Sequence, residues 1–281
     1  MAAPTLPRED ERAEAAALPG SAIEFENVSI AFDEKVVLSD ISFKLAHGET
    51  KALFGVAGSG KSTLLKLAMG LIRPDSGRIT VLGEDVTAMT ENQLFELRRR
   101  LGIVFQESAL FDSMKVYENV AFRLIEEKVS TEEIERRVRE VLRFVELENT
   151  YDMLPSELSG GMRRRVAIAR AIVTEPLVLL YDSPTGGLDP VTSNTIVELI
   201  MKQRDVYKTS ALMVTHRLQD AFTMATHQFD KAKNQMIALP KGQLADVPMS
   251  FLILREGKVI FDGDAHQLTN SRDEYIREYI S

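Results

Sequence analysis

The stretch LPSELSGGMRRRVAIARAIVTEPLVLLYDSPTGGLDPVTS, from Leu154 to Ser193, decides the fold of this chain. Ser159–Gly161 open a helix with an apolar face, where bare backbone N–H groups and the positive end of the helix dipole favour an anion. An apolar run then ends in Asp182, which is typical of a buried parallel strand that presents a carboxylate at its C-terminal end. An anion cradle followed closely by such a carboxylate indicates phosphate and metal handling.

The upstream segment GVAGSGKST, residues 55–63, fits the phosphate-binding loop pattern G-x-x-x-x-G-K-[ST]. A strand pattern precedes it and a helical pattern follows it, which is the context that the motif requires. Its glycines let backbone amides close around a phosphate, Lys61 reaches the β/γ oxygens, and the Ser62 hydroxyl suits Mg²⁺. The whole loop is therefore predicted to bind ATP: Gly55, Val56, Ala57, Gly58, Ser59, Gly60, Lys61, Ser62 and Thr63.

The P-loop, Gln106, LSGGM, LLYD, GLD and His216 follow one another in the order found in ABC-transporter ATP-binding cassettes, which this chain resembles. The resemblance covers residues 23–226 and resumes at 251–268. Within that superfamily, the segment from Phe105 to Phe122 is most similar to the ATPase subunit of Mla-type, MCE-associated phospholipid transporters. The segment LPSE, which directly precedes LSGGM, indicates the same group.

The resemblance implies an α/β fold, the P-loop NTPase fold of an ABC nucleotide-binding domain, with an antiparallel β-subdomain and an inserted helical subdomain. We expect this domain at 23–268, with the helical subdomain at about 107–170. Residues 227–248 depart from the family outline and predict an inserted hairpin. Residues 1–22 lack apolar periodicity and predict a flexible tail, and residues 269–281 predict a C-terminal tail helix.

The resemblance also implies roles for single residues. Three side chains are expected to hold Mg²⁺: Ser62, Gln106 and Asp182. His216 would sense the γ-phosphate, and Phe32 would stack on adenine, although ordinary core packing would also explain an aromatic residue in a strand. Four residues are expected to bind the nucleotide, the first three from the opposite subunit: Ser159, Gly160, Gly161 and Asp189.

Ser183 is where the sequence departs most from that family, because ABC cassettes almost always place a glutamate directly after the strand-end aspartate. That glutamate is the base or orienter for the attacking water, and a serine has no useful basicity near neutral pH. We therefore expect slow hydrolysis with nearly intact ATP affinity, and His216 or Gln106 orienting the water. An introduced trap mutation is the competing explanation, but glutamine would be the usual choice, which favours a natural variant.

Composition limits the other function classes. Lys and Arg number 34 against 42 Asp and Glu, a net charge of −8, so the bulk surface is not built to bind nucleic acid or anionic lipid. The chain has no cysteine, which excludes a disulfide framework and a thiol nucleophile. No apolar run approaches the roughly 20 residues that span a bilayer. Any membrane connection is therefore expected to come through a partner.

These observations predict an ATPase subunit that drives phospholipid movement from the inner face of the cytoplasmic membrane. The resemblance implies these partners: a second copy in a nucleotide-sandwich homodimer, an integral-membrane permease, an MCE-domain lipid-binding protein and a small STAS-domain subunit. A hydrolysis-deficient regulatory clamp and an ABC transporter for another substrate are alternatives. Soluble ABC ATPases of translation or repair usually carry tandem cassettes or a long coiled-coil insertion, which this sequence lacks.

Two segments leave alternatives open. Residues 110–122 hold more apolar groups than a plain connector needs, which favours either local packing or a groove for a permease coupling helix. In the tail, Ser271–Glu274 predicts a capping box followed by an apolar stripe. A helix this short must dock, either on its own domain or on the other subunit.

Overall fold

The structure is a computed structural model that describes residues 20–240 and 242–280. The predicted flexible tail at 1–22 lies outside the described residues up to position 19. Its last residue corrects the prediction, because Ala22 is fully buried and its N–H donates to the Leu45 carbonyl at 2.8 Å. Residue 22 therefore belongs to the folded domain and not to the tail.

Strands and helices alternate along most of the described chain. The strands are β1 (Ile23–Phe32), β2 (Lys35–Leu45), β3 (Thr50–Gly55), β4 (Ser76–Val81), β5 (Glu84–Asp85), β6 (Leu101–Val104), β7 (Val178–Asp182), β8 (Ser210–Val214), β9 (His227–Asp230), β10 (Gln235–Ala238), β11 (Met249–Arg255) and β12 (Lys258–Asp264). The helices are α1 (Lys61–Ala68), α2 (Glu91–Arg98), α3 (Val116–Glu126), α4 (Thr131–Phe144), α5 (Gly160–Ile172), α6 (Pro190–Tyr207), α7 (Leu218–Thr226), α8 (Ala265–Thr269) and α9 (Glu274–Ile280). Short 3-10 turns lie at Glu148–Thr150 and Pro155–Glu157.

A six-stranded sheet in the order β12-β11-β3-β8-β7-β6 forms the centre of the domain. Its strands are parallel except for β12, which pairs antiparallel with β11. Every residue of β3 and β8 is buried, as continuous apolar strands require when both faces of a parallel sheet are covered. This sheet places four strand ends side by side, which matters for the site.

A second, antiparallel sheet in the order β2-β1-β4-β5 covers one side of the first helix. Buried and solvent-facing residues alternate along much of β1 and β2. On the buried face, the rings of Phe25 and Phe43 stack at 4.7 Å between centroids. Apolar side chains of this sheet share one hydrophobic cluster with Leu64 and Leu65 of α1. The P-loop fold with an antiparallel β-subdomain is thus confirmed.

The segment between β6 and β7 is helical, as the predicted helical subdomain requires. Helix α4 buries one stripe, Ile134, Val138 and Leu142, and exposes its charged residues. Ser130 caps this helix, since its hydroxyl accepts the Glu133 N–H at 3.4 Å. Helix α5 closes the segment and extends two residues past the expected boundary at 170.

The predicted hairpin insertion and the predicted tail helix both lie near the C-terminus. Strands β9 and β10 pair antiparallel as a hairpin within the predicted insertion at 227–248. The predicted capping box at 271–274 is wrong, because α9 begins at Glu274 and the Ile276 N–H donates to Asp273 Oδ1 at 3.0 Å. The tail helix is therefore shorter than 269–281, and Ile276, 2% exposed, packs on its own domain.

Candidate functional site

Four neighbouring parallel strands end at one edge of the central sheet, and each leads into a predicted site residue. Strand β3 leads into the P-loop, β6 into Gln106, β7 ends at Asp182, and β8 is followed by His216. In the register of this sheet, Val214 lies between Leu53 and Asp182. The carboxyl ends of parallel strands are the usual location of a ligand crevice in open α/β sheets.

A cleft of about 270 Å³ opens at this edge. Its lining contains Val37 and ten of the predicted nucleotide, metal and catalytic residues: Ala57, Gly58, Gly60, Lys61, Ser62, Thr63, Gln106, Asp182, Ser183 and His216. Val37 was not predicted, since it is an ordinary apolar residue of β2 and only the folding of the antiparallel sheet over the P-loop brings it to the cleft. No signal in the sequence distinguishes it.

The P-loop is closed around its own lysine. Lys61 Nζ donates to the carbonyls of Gly55 and Val56, both at 2.8 Å, and to Ser59 Oγ at 3.3 Å. Burial lowers the pKa of Lys61, and the nearby Asp182 carboxylate opposes that shift. Gly60 has a φ of +96°, and a Cβ there would lie 2.5 Å from Leu38 Cδ2, so only glycine fits. An arriving phosphate can replace the carbonyl partners of this ammonium group.

Oxygen ligands suitable for Mg²⁺ lie beside the loop. Ser62 Oγ donates to Asp182 Oδ1 at 3.2 Å, so a hydroxyl and a carboxylate share one point of the cleft. Within residues 20–240 and 242–280, no cluster of three or more His, Cys, Asp or Glu could hold a metal by itself. Mg²⁺ typically binds through one or two carboxylates plus phosphate oxygens and waters. The residues present fit that mode of binding.

Ser183 lines the cleft from a buried, left-handed backbone position. It is 4% exposed with a φ of +50°, and its N–H donates to the Val214 carbonyl at 2.9 Å. A Cβ built on Gly186 would lie 3.2 Å from the Ser183 carbonyl oxygen and 3.5 Å from Gln106 Nε2. Gln106 and Ser183 therefore both lie close to Gly186, at the end of the cleft farther along the sheet from the P-loop.

His216 is the titratable ring at this edge. Burial lowers its pKa below the ordinary value of 6.5, the Lys61 charge lowers it further, and Asp182 acts in the opposite direction. A neutral imidazole has one N–H donor and one acceptor nitrogen. It can therefore exchange a hydrogen bond with a phosphate or a water at neutral pH.

The remaining predicted residues lie outside the lining of this cleft. The Ser159 hydroxyl caps α5 by accepting the Met162 N–H at 3.2 Å, and Asp189 caps α6 by accepting two N–H groups at 3.0 Å. Gly160, which is exposed, and Gly161, which is half-buried, begin the first turn of α5. Phe32 is 46% exposed, so core packing does not account for it. The three P-loop residues outside the lining are Gly55, Val56 and Ser59, which contact Lys61.

Known proteins of similar sequence identify the family of this chain. The ABC transporter family profile matches residues 38–186. Protein TRIGALACTOSYLDIACYLGLYCEROL 3, chloroplastic, of Arabidopsis thaliana is 38% identical over 268 residues, which cover 92% of this chain and 73% of that protein. Methionine import ATP-binding protein MetN 2 of Bacillus cereus is 34% identical over 263 residues, covering 92% of this chain and 72% of that protein.

Solved structures show the same fold. A dimeric ATP-binding cassette in a post-hydrolysis state, bound to ADP and Pi, superposes with a TM-score of 0.71 and 27% identity, covering 86% of this chain and 98% of that one. The protein cbiO1 from Clostridium perfringens, part of the ABC transporter complex cbiONQ, gives a TM-score of 0.75 and 28% identity, covering 92% and 94%. No helix within the described residues is long and apolar enough to cross a membrane. This chain belongs to the ABC transporter family, as an ATP-binding subunit with the fold of an ABC nucleotide-binding domain.

Proposed function

We propose that this chain hydrolyses ATP, slowly, to drive phospholipid movement through a membrane permease. The observation that supports hydrolysis is the convergence of Lys61, the Ser62–Asp182 pair, Gln106 and His216 on one cleft. Phosphoryl transfer depends mainly on positioning and on electrostatic stabilisation of the phosphoryl oxygens. This cleft offers a cation, backbone amides and oxygen ligands for those tasks.

In this proposal each group has one task. The P-loop amides and Lys61 hold the phosphates, while Ser62, Asp182 and Gln106 hold Mg²⁺, which neutralises charge on the phosphate oxygens when bound. Ser183 cannot remove a proton from water near neutral pH. Gln106 and the neutral His216 therefore orient the attacking water by hydrogen bonds. Phe32, exposed at the end of β1, stacks on the adenine.

The lipid substrate is supported by one relative. The name of the Arabidopsis relative, which is 38% identical, contains that of a galactolipid. The methionine import relatives, at 34% identity, favour a second candidate, in which the same ATPase drives uptake of an amino acid. The Mla-type segment at 105–122 favours the lipid, together with an MCE-domain protein and a STAS-domain subunit as further partners.

An exposed apolar surface supports docking on a permease at the inner face of the cytoplasmic membrane. The rings of Phe111 and Phe122 lie 4.8 Å apart, and each is more than one third exposed. With Phe105 and Ala109 they border an open groove of about 380 Å³. Monomeric proteins rarely leave such aromatic clusters uncovered without a partner. Of the two interpretations of 110–122, the permease groove is the one that this exposure favours.

The decisive experiment compares steady-state ATP hydrolysis by the native chain, Ser183→Glu and Lys61→Ala, with ATP affinity measured for each. We expect Ser183→Glu to raise kcat by about 10²- to 10⁴-fold, because general-base contributions are of that size. ATP affinity should stay unchanged in Ser183→Glu and fall in Lys61→Ala. Native hydrolysis as fast as that of Ser183→Glu would mean that another residue supplies the base. Native hydrolysis no faster than that of Lys61→Ala would establish the regulatory clamp instead.

Substrate identity needs a separate measurement. Purifying the chain with its membrane complex and extracting the bound small molecules should yield phospholipid by mass spectrometry. Methionine or another amino acid bound to the complex would refute the lipid assignment while leaving the ATPase intact.

A further inference from the structure

Arg164 is a buried cation that the roles above leave unused. It lies in the first turns of α5, yet it is only 4% exposed and points into the protein behind the cleft. Its neighbours Arg163 and Arg165 are more accessible. Burying a guanidinium group is costly unless hydrogen bonds compensate for the lost water. Its partners therefore indicate what it does.

Arg164 reaches three backbone carbonyls in two different segments. Nη1 donates to the carbonyls of Phe105 at 3.0 Å and Ser183 at 3.4 Å, and Nη2 donates to the Gly186 carbonyl at 3.2 Å. Phe105 directly precedes Gln106. Ser183 and Gly186 bound the turn that follows Asp182. The Arg164 side chain thus links the backbone next to Gln106 with the backbone of the turn that contains Ser183.

Two of these carbonyls also close turns. The Ser108 N–H donates to the Phe105 carbonyl at 3.0 Å, and the Gly186 N–H donates to the Ser183 carbonyl at 2.9 Å. The planar guanidinium group, with donors in a fixed fork, can hold both turns at one spacing. A lysine ammonium could not span the same acceptors.

Two other arginines of the same helix, Arg165 and Arg170, do not make this bridge. Arg170 also donates to the first turn region, at Ala109 O (2.7 Å) and Ser108 O (2.8 Å), but to no atom of 183–186. Arg165 donates to the carbonyls of Val145 at 3.2 Å and Glu146 at 3.5 Å, directly after the end of α4.

We propose that Arg164 is a positioning residue for ATP hydrolysis, holding Gln106 and Ser183 at the spacing that places the attacking water. The inference rests on the proposed ATPase function. Because Ser183 supplies no carboxylate, hydrolysis here depends on geometry more than in a cassette with a base. A displacement of about 1 Å of a positioned group can cost about 10²-fold in rate.

The test compares the native chain with Arg164→Lys and Arg164→Met, and uses Arg165→Lys as the matched control. We expect kcat for ATP to fall about 10- to 100-fold in both Arg164 variants, with KM within about twofold of the native value, because the P-loop is untouched. Arg165→Lys should keep native kcat and KM. Arg164→Lys retains the positive charge, so kcat and KM can still be measured in this variant if Arg164→Met does not fold.

Amide hydrogen exchange gives a readout that does not depend on turnover. In Arg164→Lys, exchange at Ser108 and Gly186 should accelerate together, while exchange in the P-loop stays native. A native kcat in Arg164→Lys, a matching loss in Arg165→Lys, or a KM that rises as kcat falls would overturn the inference. Native hydrolysis no faster than that of Lys61→Ala would instead refute the proposed ATP hydrolysis. Unchanged amide exchange at both Ser108 and Gly186 would show, whatever the hydrolysis rate, that Arg164 does not hold the two turns.

Discussion

Gly160 and Gly161 are adjacent, yet they differ in the space around them. A Cβ on Gly160 would lie 3.6 Å from Leu188 Cδ2, which is ordinary contact, whereas a Cβ on Gly161 would lie 2.5 Å from Thr192 Cγ2. Thr192 is held in place because its hydroxyl donates to Asp189 Oδ2 at 2.5 Å. A methyl group therefore has room at position 160 but would clash with Thr192 at position 161.

We predict that Gly161→Ala lowers the free energy of unfolding by about 1–3 kcal/mol through overpacking. Gly160→Ala should leave it unchanged or raise it by up to about 1 kcal/mol, since alanine favours a helix. Urea denaturation of the two variants checks this. Equal stability losses would show that both positions are sterically closed. Gly160→Ala should nonetheless weaken ATP-driven dimerisation, because the added methyl lies on the turn proposed to face the phosphate of the partner.

A second residue-level prediction concerns His216, whose pKa is lowered by burial and then by Lys61. We expect an NMR titration of the imidazole to have a midpoint below 6.5 in the nucleotide-free chain. The midpoint should rise toward 6.5 in Lys61→Ala, because one repulsive charge is gone. The neutral ring is favoured in the folded state, so the contribution of His216 to stability is complete above pH 6.5 and is lost as pH falls. A midpoint unmoved in Lys61→Ala would contradict the assigned cause.

At the scale of elements, the inserted hairpin is fastened by a buried ion pair on α6. Arg204 pairs with Asp205 at 2.6 Å and donates to the His227 carbonyl at 2.9 Å, while Asp205 accepts the Phe229 N–H at 2.7 Å. Arg204 also donates to the Met224 carbonyl. This pair ties the hairpin to the helix that Asp189 caps.

Asp205→Ala should lower the free energy of unfolding by about 3–5 kcal/mol, because it leaves a buried guanidinium group without its carboxylate. Lys231→Ala is the control, since Lys231 is exposed and its ammonium group donates to the Val206 carbonyl at a long 3.5 Å. It should change stability by less than about 0.5 kcal/mol. Urea denaturation curves of both variants decide, and a small loss in Asp205→Ala would show that the hairpin is held by other contacts.

The tail helix α9 packs against its own domain. Ile276 is buried against its own domain, and the Arg255 guanidinium lies 4.2 Å from the ring centre of Tyr275. We predict that Ile276→Ala lowers the free energy of unfolding by about 2–5 kcal/mol, and equally at low and high protein concentration without nucleotide. The exposed Arg277→Ala serves as control. A loss that depends on concentration would place the tail on the second subunit.

The whole molecule shows which parts of a site a sequence can predict. The P-loop residues are contiguous, so their chemistry is local, and Asp182 and His216 follow apolar runs whose ends must meet in a parallel sheet. Val37 and Arg164 reach the site only through tertiary packing, and neither has a local signature. Ala22 joins the antiparallel sheet through backbone hydrogen bonds, which composition does not reveal. Contacts made across the fold, rather than along the chain, are what sequence patterns fail to specify.

At the scale of the whole molecule, the nucleotide site is expected to need a second copy of this chain. The lining of the ATP cleft contains no residue of the Ser159–Gly161 turn, although Ser159 and Gly160 are exposed at the start of α5. A phosphate held by the P-loop of one chain can therefore be closed by this turn from another, as the dimeric cassettes of similar fold suggest. We predict that MgATP converts the chain to a dimer in sedimentation velocity, and that slow hydrolysis makes this dimer long-lived. Lys61→Ala should remain monomeric under the same conditions, and Ser183→Glu should form a dimer that decays as ATP is consumed. Equal dimerisation of Lys61→Ala and the native chain would mean that the subunits are held together by contacts other than ATP.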